Sequence, residues 1–338
     1  MMLEVPQLRF EKHMLFIVFA SMLTSAMAGT GERGVLSAKG TRSKLGLLYL
    51  DGGQPSAHLL NLVDGGNVPI MKIPAGDFAR PDSVGLRLKK ANPKAIIVVG
   101  VGAQSKEMKI DRDPLQVYAN WAKEKEGDLR TLAAHKDKVD FLSFMPNMWE
   151  PKTVEQAQWY CRYIAHAAPR IAAMGFRPII LQSGVGGLPI EPQILNAMVP
   201  ALRIAKKHGG AWACHGYTLE YDTNVNRESY YSLRYRRAYE YLKKTHPDVA
   251  DLPMILMEGG VDKAGDPNKD GWQARGNADK YVAWLQWFDS QLLEDPQVLG
   301  VCLFKIGNVN EWRSFDLEPV APWLGEYLKK KNTQTKPR

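Results

Sequence analysis

The hydrophobic pattern along the chain switches between two periods. Short, nearly continuous apolar runs occur at Leu45–Leu50, Val68–Ile73, Ala95–Val99, Val139–Phe144, Pro178–Gln182, Ala211–His215, Pro253–Met257 and Val298–Phe304. Runs of this length fit strands buried on both faces of a parallel sheet. Longer segments with helical spacing lie between them. Thr153–Gln156 offers a capping box before a stretch that stops at Gly175. Asp113-Pro114 opens a helix through Tyr118, Trp121 and Leu129, and Glu191-Pro192 opens another through Leu195, Met198 and Leu202 that closes at Gly209. Ser229–Lys244 and Asn277–Leu293 carry further amphipathic patterns. Strand and helix alternate eight times, which predicts an α/β architecture. Eight units favour a closed (β/α)8 TIM barrel over an open doubly wound sheet, the alternative. No G-x-G-x-x-G follows the first strand, whose exit reads Asp51-Gly52-Gly53.

The termini read differently from this core. Arg9, Lys12 and His13 precede the apolar run Met14–Leu23, and Ala26-Met27-Ala28 follows. That order of charge, apolar core and small residues predicts a secretory signal peptide over residues 1–28, with an uncleaved anchor or a tail as the alternative. The run is about half the roughly twenty residues that span a bilayer, and no later segment is apolar enough to cross one. The expected location is therefore secreted or periplasmic. Residues 29–43 read as a flexible leader, 44–328 as one barrel domain, and 329–338, with Lys329-Lys330-Lys331, as a basic tail. A chain of 338 residues is long enough to bury one large core.

The net charge of +8 is unchanged by loss of residues 1–28, because Arg9 and Lys12 leave with Glu4 and Glu11. The basic excess is spread along helices without interleaved aromatics, so it does not suggest nucleic-acid binding. Cys161, Cys214 and Cys302 are too few and too scattered for a disulfide framework, and their apolar neighbours suggest buried, inert thiols. No Cys or His spacing suits a metal, and no cofactor is expected.

A (β/α)8 barrel carries its chemistry on the loops after its strands. Strand one exits at Asp51; strand two carries Lys72 and leads to Asp77. Strand four runs into Met145-Pro-Asn147-Met-Trp149-Glu150-Pro151, and strand five ends at Gln182-Ser183-Gly184. Strand six ends at His215-Gly-Tyr217, and strand seven at Met257-Glu258-Gly259-Gly260. Strand eight leads through Lys305 to Asn308, Asn310 and Trp312. Two carboxyl groups astride a scissile bond are what glycoside hydrolysis needs. An apolar wall such as Trp149 would raise the pKa of the acid, and hydrogen bonds from Tyr217 or His215 would keep the nucleophile ionised. Rings such as Trp149, Trp212 and Trp312 offer faces for sugars. Each residue also has a structural use. Glu258 pairs readily with Lys72 or Lys305, Glu150 favours a helix N-terminus, and Asp51 and Asp77 suit turns.

Glu150-Pro151 after strand four and Met257-Glu258-Gly259 at strand seven resemble clan A glycoside hydrolases. In that superfamily of (β/α)8 barrels the acid/base Glu, usually within Asn-Glu-Pro, follows strand four and the nucleophile Glu ends strand seven. His215-Gly-Tyr217 is similar to the His-x-Tyr of family 5, and the pattern from Tyr281–Trp287 through Val298–Val301 to Trp312–Asp316 resembles bacterial members. The resemblance spans roughly residues 44–325. It implies a retaining hydrolase of β-linked oligo- or polysaccharides, with Glu258 as nucleophile and Glu150 as acid/base. Asn147, Trp149, His215, Tyr217, Asp51, Lys72 and Trp312 would contact substrate. One departure stands out: Trp149 occupies the position of the superfamily's Asn, which typically contacts the sugar 2-hydroxyl. That departure motivates an alternative, a carbohydrate-binding barrel without catalysis. A lyase or aldolase using Lys72 or Lys305 is a third option.

Overall fold

The computed structural model describes residues 42–50, 54–102, 106, 108–146, 148–307 and 311–333. All eight apolar runs are strands: β1 (Leu45–Tyr49), β2 (Ile70–Pro74), β3 (Ile96–Gly100), β4 (Phe141–Ser143), β5 (Arg177–Ser183), β6 (Ala211–Thr218), β7 (Met254–Val261) and β8 (Val298–Ile306). Each pairs in parallel with the next, and β8 returns to β1. The closed ring excludes the open doubly wound sheet. The helices are α1 (Ala57–Asp64), α2 (Val84–Ala91), α3 (Pro114–Glu124), α4 (Glu126–Ala133), α5 (Val154–Ala173), α6 (Pro192–Lys207), α7 (Val225–Glu228), α8 (Tyr235–Thr245), α9 (Trp272–Arg275), α10 (Ala278–Glu294) and α11 (Ala321–Thr333).

The alternation of side chains along each strand separates two cores. Leu48, Ile70, Val98, Phe141, Ile179, Ala213, Ile255 and Met257 fill the lumen. Their neighbours Leu47, Met71, Val99, Leu142, Ile180, Trp212 and Leu256 face outward and pack with the helices. Burying each large side chain contributes about 1.5–3 kcal/mol, so both rows are strongly specified. Trp212 belongs to the outer row, fully buried, with its indole N–H donating to the Tyr239 hydroxyl at 2.6 Å. It offers no face to a sugar, which corrects that expectation.

β6 and β7 run past the glycines that suggested loop starts. Gly259 lies where a Cβ would stand 2.5 Å from Val301 Cγ2, so this glycine lets strands approach. His215, Tyr217 and Glu258 are therefore held by strand ladders rather than by exit loops. Two irregularities re-aim side chains. On β5 the register slips between Ile180 and Ser183, and Leu181 has φ 57°. Its N–H donates to the Tyr160 hydroxyl at 2.7 Å. On β7, Leu256 faces Cys214 and Glu258 faces His215, so one extra residue, Met257, sits between them.

At the opposite end of the barrel, Asp289 of α10 is fully buried. It accepts the Lys44 backbone N–H and the Tyr327 hydroxyl, both at 2.8 Å, tying the start of β1 to α10 and α11. α11 continues through Lys329, Lys330 and Lys331 to Thr333, so the expected basic tail is helical over most of its lysines. Residues 1–41, where the expected signal peptide and most of the leader fall, lie outside the described residues. Among the described residues no helix is long and apolar enough to cross a membrane.

Replacing Asp289 by Ala would leave one buried donor, the Lys44 N–H, and one half-buried donor, the Tyr327 hydroxyl, without their acceptor. The expected cost is about 3 kcal/mol in urea-unfolding stability with an unchanged m-value. A loss below about 1 kcal/mol would show that this tie does not hold the barrel closed.

Candidate functional site

The bulge at Met257 turns Glu258 into the lumen beside Met257. Three lumen-row side chains converge on its carboxylate. Lys72, two residues after Ile70 on β2, donates from Nζ to Oε1 at 3.2 Å. Tyr217 on β6 donates its hydroxyl to Oε2 at 3.1 Å. His215 places Nδ1 3.6 Å from the same oxygen. Glu258 is only 9% exposed. Burial alone would raise its pKa, but the His215 ring, the Lys72 ammonium and the hydrogen bonds from Lys72 and Tyr217 hold it below the usual carboxylate value. Burial lowers the pKa of His215, with Glu258 opposing and Lys72 adding to the drop.

Glu150 has a different environment. It follows β4, and its carboxyl lies against the β5 exit segment. A Cβ on Gly187 would stand 2.5 Å from its Oε1, so only glycine leaves that space open. Oε2 is buried with no hydrogen-bond partner among the described residues. Lys152 Nζ lies 3.7 Å from Oε1. Burial raises the Glu150 pKa, and Lys152, the Gly184 N–H and Arg234 only partly oppose it. The two carboxyl groups share none of these partners, and their environments push them in opposite directions.

The remaining candidates divide. Lys72, His215 and Tyr217 are gathered on Glu258: the Lys72 pair is the structural use expected for that carboxylate, and the Tyr217 hydrogen bond is one of those expected to keep it ionised. Trp149 is turned outward. Its segment is pinned to β5 by Met148 N–H donating to the Gln182 carbonyl at 2.9 Å. Its ring packs against Tyr160 at 5.4 Å, and its indole N–H donates to the Met108 carbonyl at 3.2 Å. The expectation of a sugar-stacking wall gives way to a packing role. Trp312 is half-buried and meets Phe304 and Phe315 edge-on at 5.3 and 5.6 Å, at the border of the lumen core. Lys305 is buried and donates Nζ to the Gly307 carbonyl at 2.7 Å. Asp77 accepts Ser83 Oγ at 2.6 Å and the Val84 and Gly85 N–H groups, and so anchors the start of α2. Asp51, Asn147, Asn308 and Asn310 lie outside the described residues.

Sequence reasoning did not single out Ser143, Gln182 as a lumen group, Gly187 or Arg234. Ser143 Oγ donates to Gln182 Oε1 at 3.0 Å, giving the lumen a polar pair between β4 and β5. The alternation on β4 marked Ser143 as inward; the β5 bulge hid the direction of Gln182. Burial pushes the thiol of Cys161 up to about 11 and those of Cys214 and Cys302 up to about 12, so none is a ready nucleophile. Among the described residues no group of three or more His, Cys, Asp or Glu side chains is arranged to hold a metal ion.

A carboxyl titration followed by NMR should place Glu258 below 4.5 and Glu150 above it. Lys72→Met should raise the Glu258 value and leave Glu150 in place. The variant should also lose about 3 kcal/mol at pH 7, where the buried carboxylate has lost its cation. That gap should narrow as pH falls through the raised Glu258 pKa, because protonation removes the unpaired charge. A Glu258 that titrates above Glu150 in the wild type would contradict this assignment.

No family model matches the chain, and no curated protein matches its sequence. Solved structures match its fold. The cellulose synthase subunit Z of Clostridioides difficile aligns over 82% of this chain and 94% of its own, at 13% identity and TM-score 0.51. A GH5-4 broad-specificity endoglucanase from Clostridium longisporum aligns over 90% and 100%, at 10% identity and TM-score 0.50. A β-glucuronidase of Bacteroides uniformis matches over 78% of this chain, which spans 30% of that protein's length, at 12% identity and TM-score 0.44. At these identities the likeness is one of fold. The closed eight-stranded parallel barrel is the architecture that this chain shares with glycoside hydrolases, family 5 among them.

Proposed function

We propose that the protein is an exported, retaining glycoside hydrolase acting on β-linked glycans. The observation that carries this reading is the opposed electrostatics of two carboxyl groups at the same end of one barrel. Glu258 is held ionised by Lys72 and Tyr217, while burial favours the protonated form of Glu150. Pairs of carboxyl groups pushed apart in this way divide into base or nucleophile and acid. The order of charge, apolar run and small residues in Arg9–Ala28 supports export.

In this mechanism Glu258 Oε attacks the anomeric carbon while Glu150 gives its proton to the glycosidic oxygen. The carbon–oxygen bond breaks, and the leaving sugar departs as an alcohol. The glycosyl–Glu258 ester is then attacked by water, whose proton returns to Glu150. The new bond releases Glu258 as a carboxylate, again stabilised by Lys72 and Tyr217. A binding barrel without catalysis is a second reading, favoured by one observation: Trp149, in the place of the superfamily's Asn, turns away from the lumen.

A panel of β-linked aryl glycosides and polysaccharides separates the two. Turnover by the wild type should fall at least 10^3-fold in Glu258→Gln, in the range that loss of a nucleophile produces. Glu150→Gln should lose most activity on polysaccharides and much less on aryl glycosides with acidic leaving groups, which need little protonation. Glycan binding with no turnover on any substrate would favour the binding barrel.

Gly187→Ala is a second, local test. The added methyl would meet the flexible end of Glu150 rather than backbone, so stability should change by less than about 1 kcal/mol. Polysaccharide turnover should nonetheless fall about tenfold or more, the size of effect that a displaced acid produces. Unaltered turnover would remove Glu150 from the mechanism.

A further inference from the structure

The rim where the β5 and β6 exit segments meet carries a cationic group that the chemistry of Glu150 and Glu258 leaves unused. Arg234 stands immediately before α8, and its Nε donates to the Leu188 carbonyl at 2.8 Å. Among the described residues this is its only side-chain hydrogen bond, so both terminal nitrogens of the guanidinium lack a hydrogen-bond partner there. Leu188 follows Gly187, the residue pressed against the Glu150 carboxyl. The guanidinium is thus fixed one residue away from the contact of the acid itself. It is half-buried, and Glu150 and Glu191 are both within electrostatic reach of it.

Two more cations stand at the same rim. Lys152 Nζ lies 3.7 Å from Glu150 Oε1, and Arg237 lies 4.1 Å over the ring of Tyr230, which is 50% exposed. Glu150 and Glu191 are the carboxylates facing them. The Glu191 carboxylate is already engaged by the Ile190 N–H at 3.0 Å. Three cationic side chains are thus faced by two carboxyl groups, and burial favours the protonated form of one of them, Glu150.

We propose that this rim is the subsite for the leaving-group sugar, and that it takes a sugar bearing a carboxylate or a sulfate. The proposal rests on the reading of Glu150 as the acid. The sugar beyond the bond that receives the Glu150 proton lies on the Glu150 side of the site, beside Lys152 and Arg234. A guanidinium anchored by Nε presents its two terminal nitrogens as a fork, a geometry suited to the paired oxygens of a carboxylate or sulfate. Lys152 adds charge without fixed geometry.

The test uses the full chain with Glu258→Gln, so that substrates bind without turnover. Calorimetry compares three tetrasaccharides: cellotetraose, a β-1,4-linked mannuronate tetramer and a chondroitin sulfate tetramer. At low salt at least one anionic tetramer should bind ten or more times tighter than cellotetraose, and repeating the measurement with the chondroitin tetramer after desulfation, which leaves its carboxylates in place, distinguishes carboxylate from sulfate. High salt should shrink that preference. Adding Arg234→Gln should reduce it at least fivefold. Arg234→Lys keeps the charge but loses the fork and its contact with Leu188, and it should retain part of the preference. Failure of both anionic tetramers to bind tighter than cellotetraose overturns the proposal. So does a preference unchanged by Arg234→Gln, or one lost equally in Arg234→Lys, which would make Arg234 a support of the loop. Tight anion binding by a wild type that hydrolyses nothing would sink the glycosidase reading and leave the anion site standing. Hydrolysis of neutral β-glycans without anion preference would do the reverse.

Discussion

A carboxylate kept ionised inside a barrel is the constraint on which the rest of this structure depends. An unpaired carboxylate in such a place costs several kcal/mol and would take up a proton instead. Glu258 avoids that outcome because Lys72 and Tyr217 reach its two oxygens from different strands. The arrangement requires β2, β6 and β7 to hold fixed registers around a closed ring. It also requires the extra residue at Met257, which turns two consecutive β7 side chains toward the lumen. The glycine after Glu258 lets β7 approach its neighbours closely enough to keep those registers.

Glu150 is built on the opposite principle. Its carboxyl has one oxygen buried without a partner and the other against a glycine, with a single exposed lysine nearby. Nothing there compensates fully for the loss of water, so the neutral acid is favoured. One barrel end therefore presents two carboxyl groups whose pKa values are pushed in opposite directions, Glu258 down and Glu150 up. Arg234 and Lys152 flank the second and not the first, so the positive field of the rim falls on the leaving-group side of the proposed chemistry.

Much of this was legible in the sequence, and the remainder was hidden for physical reasons. Eight apolar runs are enough to imply eight buried parallel strands; Lys72 and His215 lie within those runs, Tyr217 and Glu258 just beyond them, and that placement singled the four out. Gly216 and Gly259 misplaced the strand ends, because a glycine admitted by close packing looks like a glycine required by a turn. The direction of Trp149 depends on the pinning of its segment to β5, a contact with no local signature. Gly187 and Arg234 are far from Glu150 in sequence and became visible only once the exit segments of β5 and β6 were brought together.

The central claim is that Glu258 is the ionised nucleophile. Incubation with a panel of 2-deoxy-2-fluoro-β-glycosides bearing dinitrophenyl leaving groups, followed by mass spectrometry of the digested protein, tests it most directly. One covalent sugar on the peptide containing Glu258, absent in Glu258→Gln, is the predicted result. A sugar on any other carboxylate, or hydrolysis with inverted configuration and no adduct, would contradict the account.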